Sequence, residues 1–168
     1  MFGKAFIYIT FVVLSTSLHA AGDAPGAPAD GAPPVPEAAG ADSVVFQALA
    51  LLGVHYRLGG RAPATGFDCS GLVRHVFREA RGLSLPDTSR EMSRIGEKVG
   101  RDAMQPGDLV FYNTLRRAFS HVGIYLGDNR FFHAPSTGAE VRIENMDSPY
   151  WAPRFNGARR ILVSAAAQ

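Results

Sequence analysis

Three residues of this sequence have the types and the order of a nucleophile, a general base and a group that orients the base. Cys69 is the only cysteine among 168 residues, so the chain cannot form an internal disulfide. His121 lies 52 residues after it (121 − 69), and His133 lies another 12 residues on (133 − 121). A histidine can take the proton of a thiol, and a second histidine can fix the tautomer of the first. The set therefore predicts a reactive thiol, although buried packing and an intermolecular disulfide are alternative interpretations of Cys69.

The surroundings of Cys69 favour the reactive interpretation. The segment Gly66-Phe-Asp-Cys-Ser-Gly71 comes directly before an amphipathic stretch, so Cys69 is expected at the start of a helix. Unpaired backbone N–H groups at a helix start favour a thiolate, and they can also hold the oxyanion of a tetrahedral intermediate. We therefore expect the pKa of this thiol to be lowered.

The same three side chains raise the alternative of a metal site. No two of them have the close spacing of known zinc signatures, so we expect no metal and no cofactor. His75 follows Cys69 by six residues and should point away from the sulfur on a helix with 3.6 residues per turn. His55 lies in a predicted loop. Both are assigned to surface or packing roles.

Helices are predicted in the first half of the folded region. Apolar residues recur at helical spacing from Val44 to Leu52, with Asp42 or Ser43 as the expected N-cap. A second helix is expected from Cys69 or Ser70 to Gly82, with Leu72, Val73, Val76, Phe77 and Ala80 as its apolar face. Thr88, followed three residues later by Glu91, predicts a capping box and a short third helix.

The second half contains short runs rich in β-forming residues. They cover residues 108–112, 121–126, 130–134, 140–144 and 159–163, and turn residues separate them. Helices followed by strands predict an α+β fold, in which the N-terminal helices pack on a central antiparallel β-sheet.

The N-terminal region has a different composition. Residues 1–20 have the pattern of a secretory signal peptide, with Lys4 before an apolar run that is shorter than the roughly 20 residues needed to span a bilayer. No cysteine lies nearby, so a lipoprotein anchor is not expected. Residues 21–41 are rich in Ala, Pro and Gly and predict a disordered linker, followed by a folded domain over 42–164. The protein is therefore expected to be exported, either periplasmic or secreted, with no stable membrane insertion after cleavage.

The ordered motifs resemble those of the NlpC/P60 cell-wall cysteine peptidases. They are Tyr56-x-x-Gly-Gly60, Phe67-Asp-Cys-Ser-Gly-Leu-Val73, Gln105-Pro-Gly-Asp-Leu-Val-Phe111, His121-Val-Gly-Ile-Tyr-Leu-Gly127 and Phe132-His-Ala134. The resemblance covers about residues 43–162 and implies a papain-like domain. In it, a helix carries the nucleophile and an antiparallel sheet carries the histidines.

The resemblance also implies roles for single residues. Cys69 matches the nucleophile, His121 the general base and His133 the residue that orients the base. Tyr56 matches a tyrosine that helps to line the oxyanion site. Asp68 and Ser70 match positions that contact substrate, although from the residues alone they are a turn residue and a helix cap.

The implied reaction is cleavage of the peptidoglycan stem peptide, at the amide between the γ-carboxyl of D-glutamate and a diamino acid such as diaminopimelate. The alternatives are a wall amidase or acyltransferase on the same scaffold, a non-catalytic wall-binding module, and an assembly protein joined through a Cys69 disulfide. The formal net charge of +2 is too small to indicate a nucleic-acid partner. We expect a monomer whose partner is peptidoglycan.

Overall fold

The computed structural model describes residues 37–114 and 116–162, with side chains from residue 40 onward. The predicted signal peptide and most of the predicted linker lie outside the described residues, so both stay predictions. Among the residues that are described, no helix has the length and apolar character needed to cross a bilayer.

The described chain contains three α-helices and eight β-strands. The helices are α1 (Glu37–Leu49), α2 (Cys69–Arg81) and α3 (Ser89–Met92), and the strands are β1 (Arg61–Ala62), β2 (Gly66–Phe67), β3 (Glu97–Val99), β4 (Leu109–Tyr112), β5 (His121–Gly127), β6 (Arg130–His133), β7 (Arg142–Asn145) and β8 (Phe155–Arg160). Short 3₁₀ helices cover Arg101–Ala103 and Ala152–Arg154.

The main sheet has six strands in the order β3-β8-β4-β5-β6-β7, and every neighbouring pair is antiparallel. Strands β4 to β7 follow one another in sequence, which is the arrangement that short connections between antiparallel strands produce. Strands β1 and β2 form a separate two-stranded sheet beside the start of α2.

Helix α2 agrees with the sequence prediction. Asp68 is its N-cap, and Gly82 ends it in the left-handed region at φ 65°, where glycine carries no steric penalty. The buried residues of α2 include Leu72, Val73, Val76 and Phe77, all of which belong to its predicted apolar face. The capping box is also confirmed, because Thr88 and Glu91 bond each other's backbone N–H groups at the start of α3.

The prediction for α1 was wrong at its N-terminus. The helix begins at Glu37, so residues 37–41 belong to it although we assigned them to the linker, and neither Asp42 nor Ser43 is its N-cap. Composition favoured a linker because Ala and Gly carry little apolar surface. Packing of Val44 and Ala48, both fully buried, holds the helix on the domain, and its first turns extend from that contact.

The short strands β1 and β2 were not predicted, and the predicted strands of the main sheet need two further corrections. The last strand covers Phe155–Arg160 rather than 159–163, and β3 was not predicted at all. Both strands have a weak local β pattern. Strand β8 contains Asn156, Gly157 and two arginines, and β3 has only three residues, two of them charged. They form because β8 pairs with β4 on one side and with β3 on the other.

The sheet is covered on both faces. The helices α1 and α2 pack on one face, against Phe111 of β4, Val122 and Ile124 of β5, and Phe132 of β6. The opposite face carries a second apolar cluster made by Val99, Val110, Tyr112, Tyr125, Phe131, Met146, Trp151 and Ala158. Alternate residues of each strand point to opposite faces, so odd-numbered residues of β5 and β6 lie on the side of this second cluster.

Candidate active site

Cys69 is the first residue of α2, and Asp68 before it organises the helix start. The Oδ1 atom of Asp68 accepts a hydrogen bond from the Gly71 backbone N–H at 2.7 Å and another from the Ser70 hydroxyl at 3.0 Å. This is ordinary N-cap geometry, in which a side-chain oxygen takes the place of a missing backbone acceptor. The cap determines the direction in which the first turn, and with it Cys69, leaves the loop.

The loop that contains Tyr56 is fastened to the same helix start. The Asp68 backbone N–H donates to the Gly60 carbonyl at 3.2 Å, and the Gly59 N–H donates to Asp68 Oδ2 at 2.9 Å. A Cβ atom on Gly71 would lie 2.1 Å from the Gly60 carbonyl oxygen, so glycine at position 71 permits this close approach. The glycines of two predicted motifs therefore meet each other, which no single motif indicates.

Tyr56 lies within electrostatic reach of Cys69. Burial raises the pKa of its phenol, and the charges of Cys69 and Asp68 raise it further. The phenol therefore remains a protonated hydrogen-bond donor at neutral pH. A phenol donor that interacts electrostatically with Cys69 is what the predicted oxyanion role requires.

The Cys69 thiol does not have the lowered pKa that we expected. Burial is the largest influence and, with the negative charge of Asp68, it raises the pKa to about 11. Backbone N–H groups of Val122, Ser70 and Cys69 act in the predicted direction and lower it, but they do not outweigh the loss of water. The resting sulfur is therefore a protonated thiol at neutral pH, and it lies against the residue that follows His121.

His121 and His133 form a direct hydrogen bond, with 2.8 Å between His121 Nε2 and His133 Nδ1. In the register of β5 and β6, Ile124 pairs with Phe132, so His133 lies opposite Gly123 and diagonally across from His121. A Cβ atom on Gly123 would lie 3.3 Å from His133 Cβ and 2.8 Å from Phe131 Cδ2. The missing side chain at position 123 leaves the space in which the second imidazole reaches the first.

Both imidazoles are buried, at 3% and 0% exposure for His121 and His133. Burial is the main reason that both pKa values are lowered, and the neighbouring His133 lowers that of His121 further. Both rings are therefore neutral at pH 7. Their hydrogen bond uses Nε2 of His121, which leaves Nδ1 as the ring nitrogen that can accept a proton.

An aromatic cluster surrounds the histidine pair. Trp151 is 4% exposed and stacks on the His121 ring with 5.5 Å between centroids, while it meets the His133 ring edge to face at 5.0 Å. The Trp151 indole N–H donates to a carboxylate oxygen of Glu144. Glu144 was not predicted as a site residue, because a glutamate in an ordinary strand pattern carries no local signal.

His75 and His55 have the packing and surface roles predicted for them. His75 lies against the Phe67 ring at 5.1 Å, and His55 pairs with Glu140 at 3.4 Å on the surface. Within residues 37–114 and 116–162, no three His, Cys, Asp or Glu side chains converge in the manner of a metal site.

Comparison with known proteins identifies related sequences. The profile of the NlpC/P60 family matches residues 53–160. The "Murein DD-endopeptidase MepS/Murein LD-carboxypeptidase" of Escherichia coli K12 is 49% identical over 113 residues, which cover 66% of this chain and 57% of that protein. The "Gamma-DL-glutamyl hydrolase" of Bacillus subtilis is 42% identical over 118 residues, which cover 70% of this chain and 28% of that protein. The match therefore spans about half of the first relative and less of the second.

Solved structures of related domains have the same fold. An NlpC/P60 family protein from Bacillus cereus superposes with a TM-score of 0.67 at 31% identity, covering 71% of this chain and 39% of that one. The NlpC/P60 domain of the peptidoglycan hydrolase SagA superposes with a TM-score of 0.64 at 28% identity, covering 72% of this chain and 98% of that domain. These likenesses confirm the predicted α+β, papain-like arrangement.

Proposed function

The chain belongs to the NlpC/P60 family, and from this premise we propose that it is a cysteine endopeptidase that hydrolyses the peptides of peptidoglycan. The observation that carries the proposal is the hydrogen bond between His121 and His133. His121 directly precedes Val122, whose backbone N–H bonds the Cys69 sulfur. Cys69 is the proposed nucleophile, His121 the general base and His133 the residue that orients the base.

The proposed acylation step starts from a neutral thiol and a neutral imidazole. His121 Nδ1 takes the proton of Cys69 as the sulfur attacks the carbonyl carbon, so no free thiolate has to accumulate in the buried site. The Cys69 N–H and the Tyr56 hydroxyl support the developing oxyanion. The His121 imidazolium then gives its proton to the leaving amine, which departs and leaves a thioester on Cys69.

Deacylation reverses the roles of the same groups. His121 takes a proton from the water that attacks the thioester carbon. The C–S bond then breaks, the acyl group leaves as a free carboxylic acid, and His121 returns the proton to the sulfur to regenerate the thiol. Asp68 and Ser70 are the proposed substrate contacts beside the nucleophile. Because the Asp68 carboxylate already accepts bonds from Gly59, Gly71 and Ser70, it would present a rigid negative surface to the substrate.

Two bonds are candidates for cleavage. The resemblance of the motifs implies the amide between the γ-carboxyl of D-glutamate and a diamino acid, and the hydrolase of Bacillus subtilis acts, by its name, on γ-glutamyl bonds. The relative in Escherichia coli is named a DD-endopeptidase, which favours instead a peptide cross-link between two D-configured centres. We take the γ-glutamyl bond as the first candidate and the cross-link as the second.

The proposed setting is outside the cytoplasm. Residues 1–20 are the proposed signal peptide, and the enzyme is expected to act as a monomer on the wall. Sequencing the N-terminus of the exported protein would test the first point, because an intact Met1 in the mature protein contradicts cleavage. Sedimentation of the purified protein would test the second.

The function itself is tested by digesting purified peptidoglycan with the wild-type protein and with Cys69→Ala, and by identifying the products by mass spectrometry. Cleavage at the first bond shortens the stem and leaves D-glutamate with a free γ-carboxyl. Cleavage at the second bond converts cross-linked dimers to monomers with intact stems. Products from Cys69→Ala at the wild-type rate would contradict the proposal.

The same digest separates the other chemistries. Release of complete stems from the sugar identifies an amidase, and a product that gains an acyl group identifies a transferase. A binding module gives no product and retains the protein on sedimented wall. Glu97→Gln, a change at the exposed β3 edge, serves as the folded, active control.

A further inference from the structure

The carboxylate of Glu144 lies behind the histidine pair, on the side away from the base. Its Oε1 atom is 3.6 Å from Nε2 of His133. That nitrogen is fully buried and, among the residues that the structure describes, has no partner at hydrogen-bonding distance. The proposed mechanism uses Nδ1 of His133 and leaves Nε2 without a role, so the nearby carboxylate requires an explanation.

The tautomers of the two rings are linked through their shared hydrogen bond. For His121 to accept a proton on Nδ1, its own proton must be on Nε2, and this N–H must donate to Nδ1 of His133. His133 can accept there only if its proton is on Nε2. The proton of His133 therefore has to point toward Glu144, and any influence that moves it to Nδ1 would also place the His121 proton on the wrong nitrogen.

Glu144 is itself held in place by two donors. The Trp151 indole donates to Oε2, and Arg142 Nε donates to Oε1 at 2.5 Å. The Glu144 side chain is 23% exposed, so its charge acts through a partly desolvated medium. The same Trp151 ring stacks on His121. The Glu144 carboxylate therefore holds the indole over the base and also places a negative charge behind His133.

We propose that Glu144 is a positioning residue, which holds the proton of His133 on Nε2 and thereby prepares Nδ1 of His121 to act as the base. This inference rests on the proposed catalytic roles of Cys69, His121 and His133. It extends the Cys–His–His set by a carboxylate that touches neither the substrate nor the reacting atoms. The carboxylate also stabilises the positive charge that His121 carries after it has taken the thiol proton.

The charges around the pair agree with this arrangement. Contact with His133 is the main reason that the pKa of Glu144 is lowered to about 2, so it is ionised at neutral pH. Its negative charge raises the pKa of both His121 and His133, against the larger effect of burial. Arg142 has the opposite effect on His133 and lowers its pKa.

Groups from the other packed elements complete the electrostatic surroundings. Tyr112 of β4 interacts with Glu144 and stays neutral, because burial raises the pKa of its phenol. The charged or titratable residues that face the cluster are Tyr112, His121, His133 and Arg142, with Arg101 and Asp147 acting on Tyr112 from farther along the chain. None of these residues combines a negative charge with direct proximity to Nε2 of His133, whereas Glu144 does.

The first test compares the steady-state kinetics of four variants on a soluble stem peptide: Glu144→Gln, Glu144→Asp, Arg142→Gln and Glu97→Gln. In Glu144→Gln we expect kcat to fall about tenfold or more, because a fraction of His121 would carry its proton on Nδ1 and could not act as the base. KM should change little, because the substrate contacts remain. The acid limb of the kcat/KM profile should move to lower pH, because a negative charge that raises the pKa of His121 is gone. Glu144→Asp keeps the charge and should recover part of kcat, and Glu97→Gln should match the wild type.

Arg142→Gln separates positioning from a purely structural ion pair. It breaks the Arg142–Glu144 contact but keeps the carboxylate, so kcat should fall much less than in Glu144→Gln. Equal losses in Arg142→Gln and Glu144→Gln would overturn the inference, because the ion pair of β7 would then be what matters. Wild-type kcat and an unshifted acid limb in Glu144→Gln would overturn it as well.

The second test does not depend on turnover. Long-range ¹⁵N–¹H NMR spectra of Cys69→Ala at pH 7 distinguish protonated from unprotonated ring nitrogens, and we expect the His133 proton on Nε2. Adding Glu144→Gln should give a mixture of tautomers, while adding Arg142→Gln should not. If the wild type digests no wall, the proposed function fails, yet this measurement still decides the inference: a His133 proton on Nδ1, or one unaffected by Glu144→Gln, contradicts it.

Discussion

His121 Nε2 and His133 Nδ1 are 2.8 Å apart, although the two residues are not direct partners in the register of β5 and β6. The bond crosses the ladder diagonally, and it is possible because Gly123 has no side chain opposite His133. The orientation of the proposed base therefore depends on a backbone detail of the sheet as well as on the identity of the two histidines.

Replacement of His133 by alanine should impair turnover without abolishing it. His121 stays at the start of β5, next to the Val122 N–H that bonds the Cys69 sulfur, but it loses the acceptor that fixes its tautomer. We therefore expect kcat to fall by roughly two orders of magnitude. In His133→Asn the amide oxygen can still accept a hydrogen bond from the His121 Nε2–H, so this variant should recover part of that loss. Steady-state kinetics on a stem peptide would measure both, and a His133→Ala enzyme with wild-type kcat would contradict the role of His133.

A methyl group at position 123 should disturb the same bond from the other strand. In Gly123→Ala the new Cβ would lie 2.7 Å from the Phe132 carbonyl oxygen, so backbone must move, and we expect a loss of about 1–3 kcal/mol in the free energy of unfolding. Activity should fall as His133 is displaced. Gly100→Ala is the matched control, because an added Cβ there meets no atom within 4 Å. Denaturant unfolding that shows equal effects for both variants would contradict the explanation.

The charge of Asp68 should be visible in the reactivity of the thiol. Asp68 raises the pKa of Cys69, so Asp68→Asn should lower that pKa and move the rise in iodoacetamide alkylation to lower pH. Asparagine caps a helix about as well as aspartate, so stability should change little, whereas Asp68→Ala should lose about 1 kcal/mol from the missing cap. The same alkylation profile in Asp68→Asn and wild type would show that the charge of Asp68 does not raise the pKa of the thiol.

Stability should decrease as the pH falls from neutral. The folded-state pKa values of His121 and His133 are lowered below 6.5, so the unfolded chain binds more protons, and their contribution to stability is complete above about pH 6.5 and is lost below it. Glu144 adds a second loss between its usual pKa, near 4.5, and its folded value of about 2. Thermal unfolding measured from pH 8 to 3 should show both, and His133→Asn should flatten the first. A Tm independent of pH between 7 and 5 would contradict the burial of neutral imidazoles.

Much of the site could be predicted from local sequence signals. The single cysteine at an amphipathic helix start, the capping box of α3 and the histidines on β-rich runs depend on near neighbours in the chain, and the structure has the same elements there. Local pattern was insufficient where pairing partners are distant. Strand β8 and the unpredicted β3 form through contacts with β4 and with each other, and residues 37–41 are helical as an extension of a packed turn.

The sequence by itself determined which side chains are present for chemistry and which elements carry them, because those are properties of residue type and of short-range periodicity. Only the tertiary structure decided how those side chains are poised. Burial raised the pKa of Cys69 where the helix start alone predicted a decrease. The carboxylate of Glu144 reached the far side of His133 through the pairing of β6 with β7, and Trp151 reached both through the turn that follows. Desolvation and long-range pairing depend on what surrounds a residue in space, and residue order expresses neither of them locally.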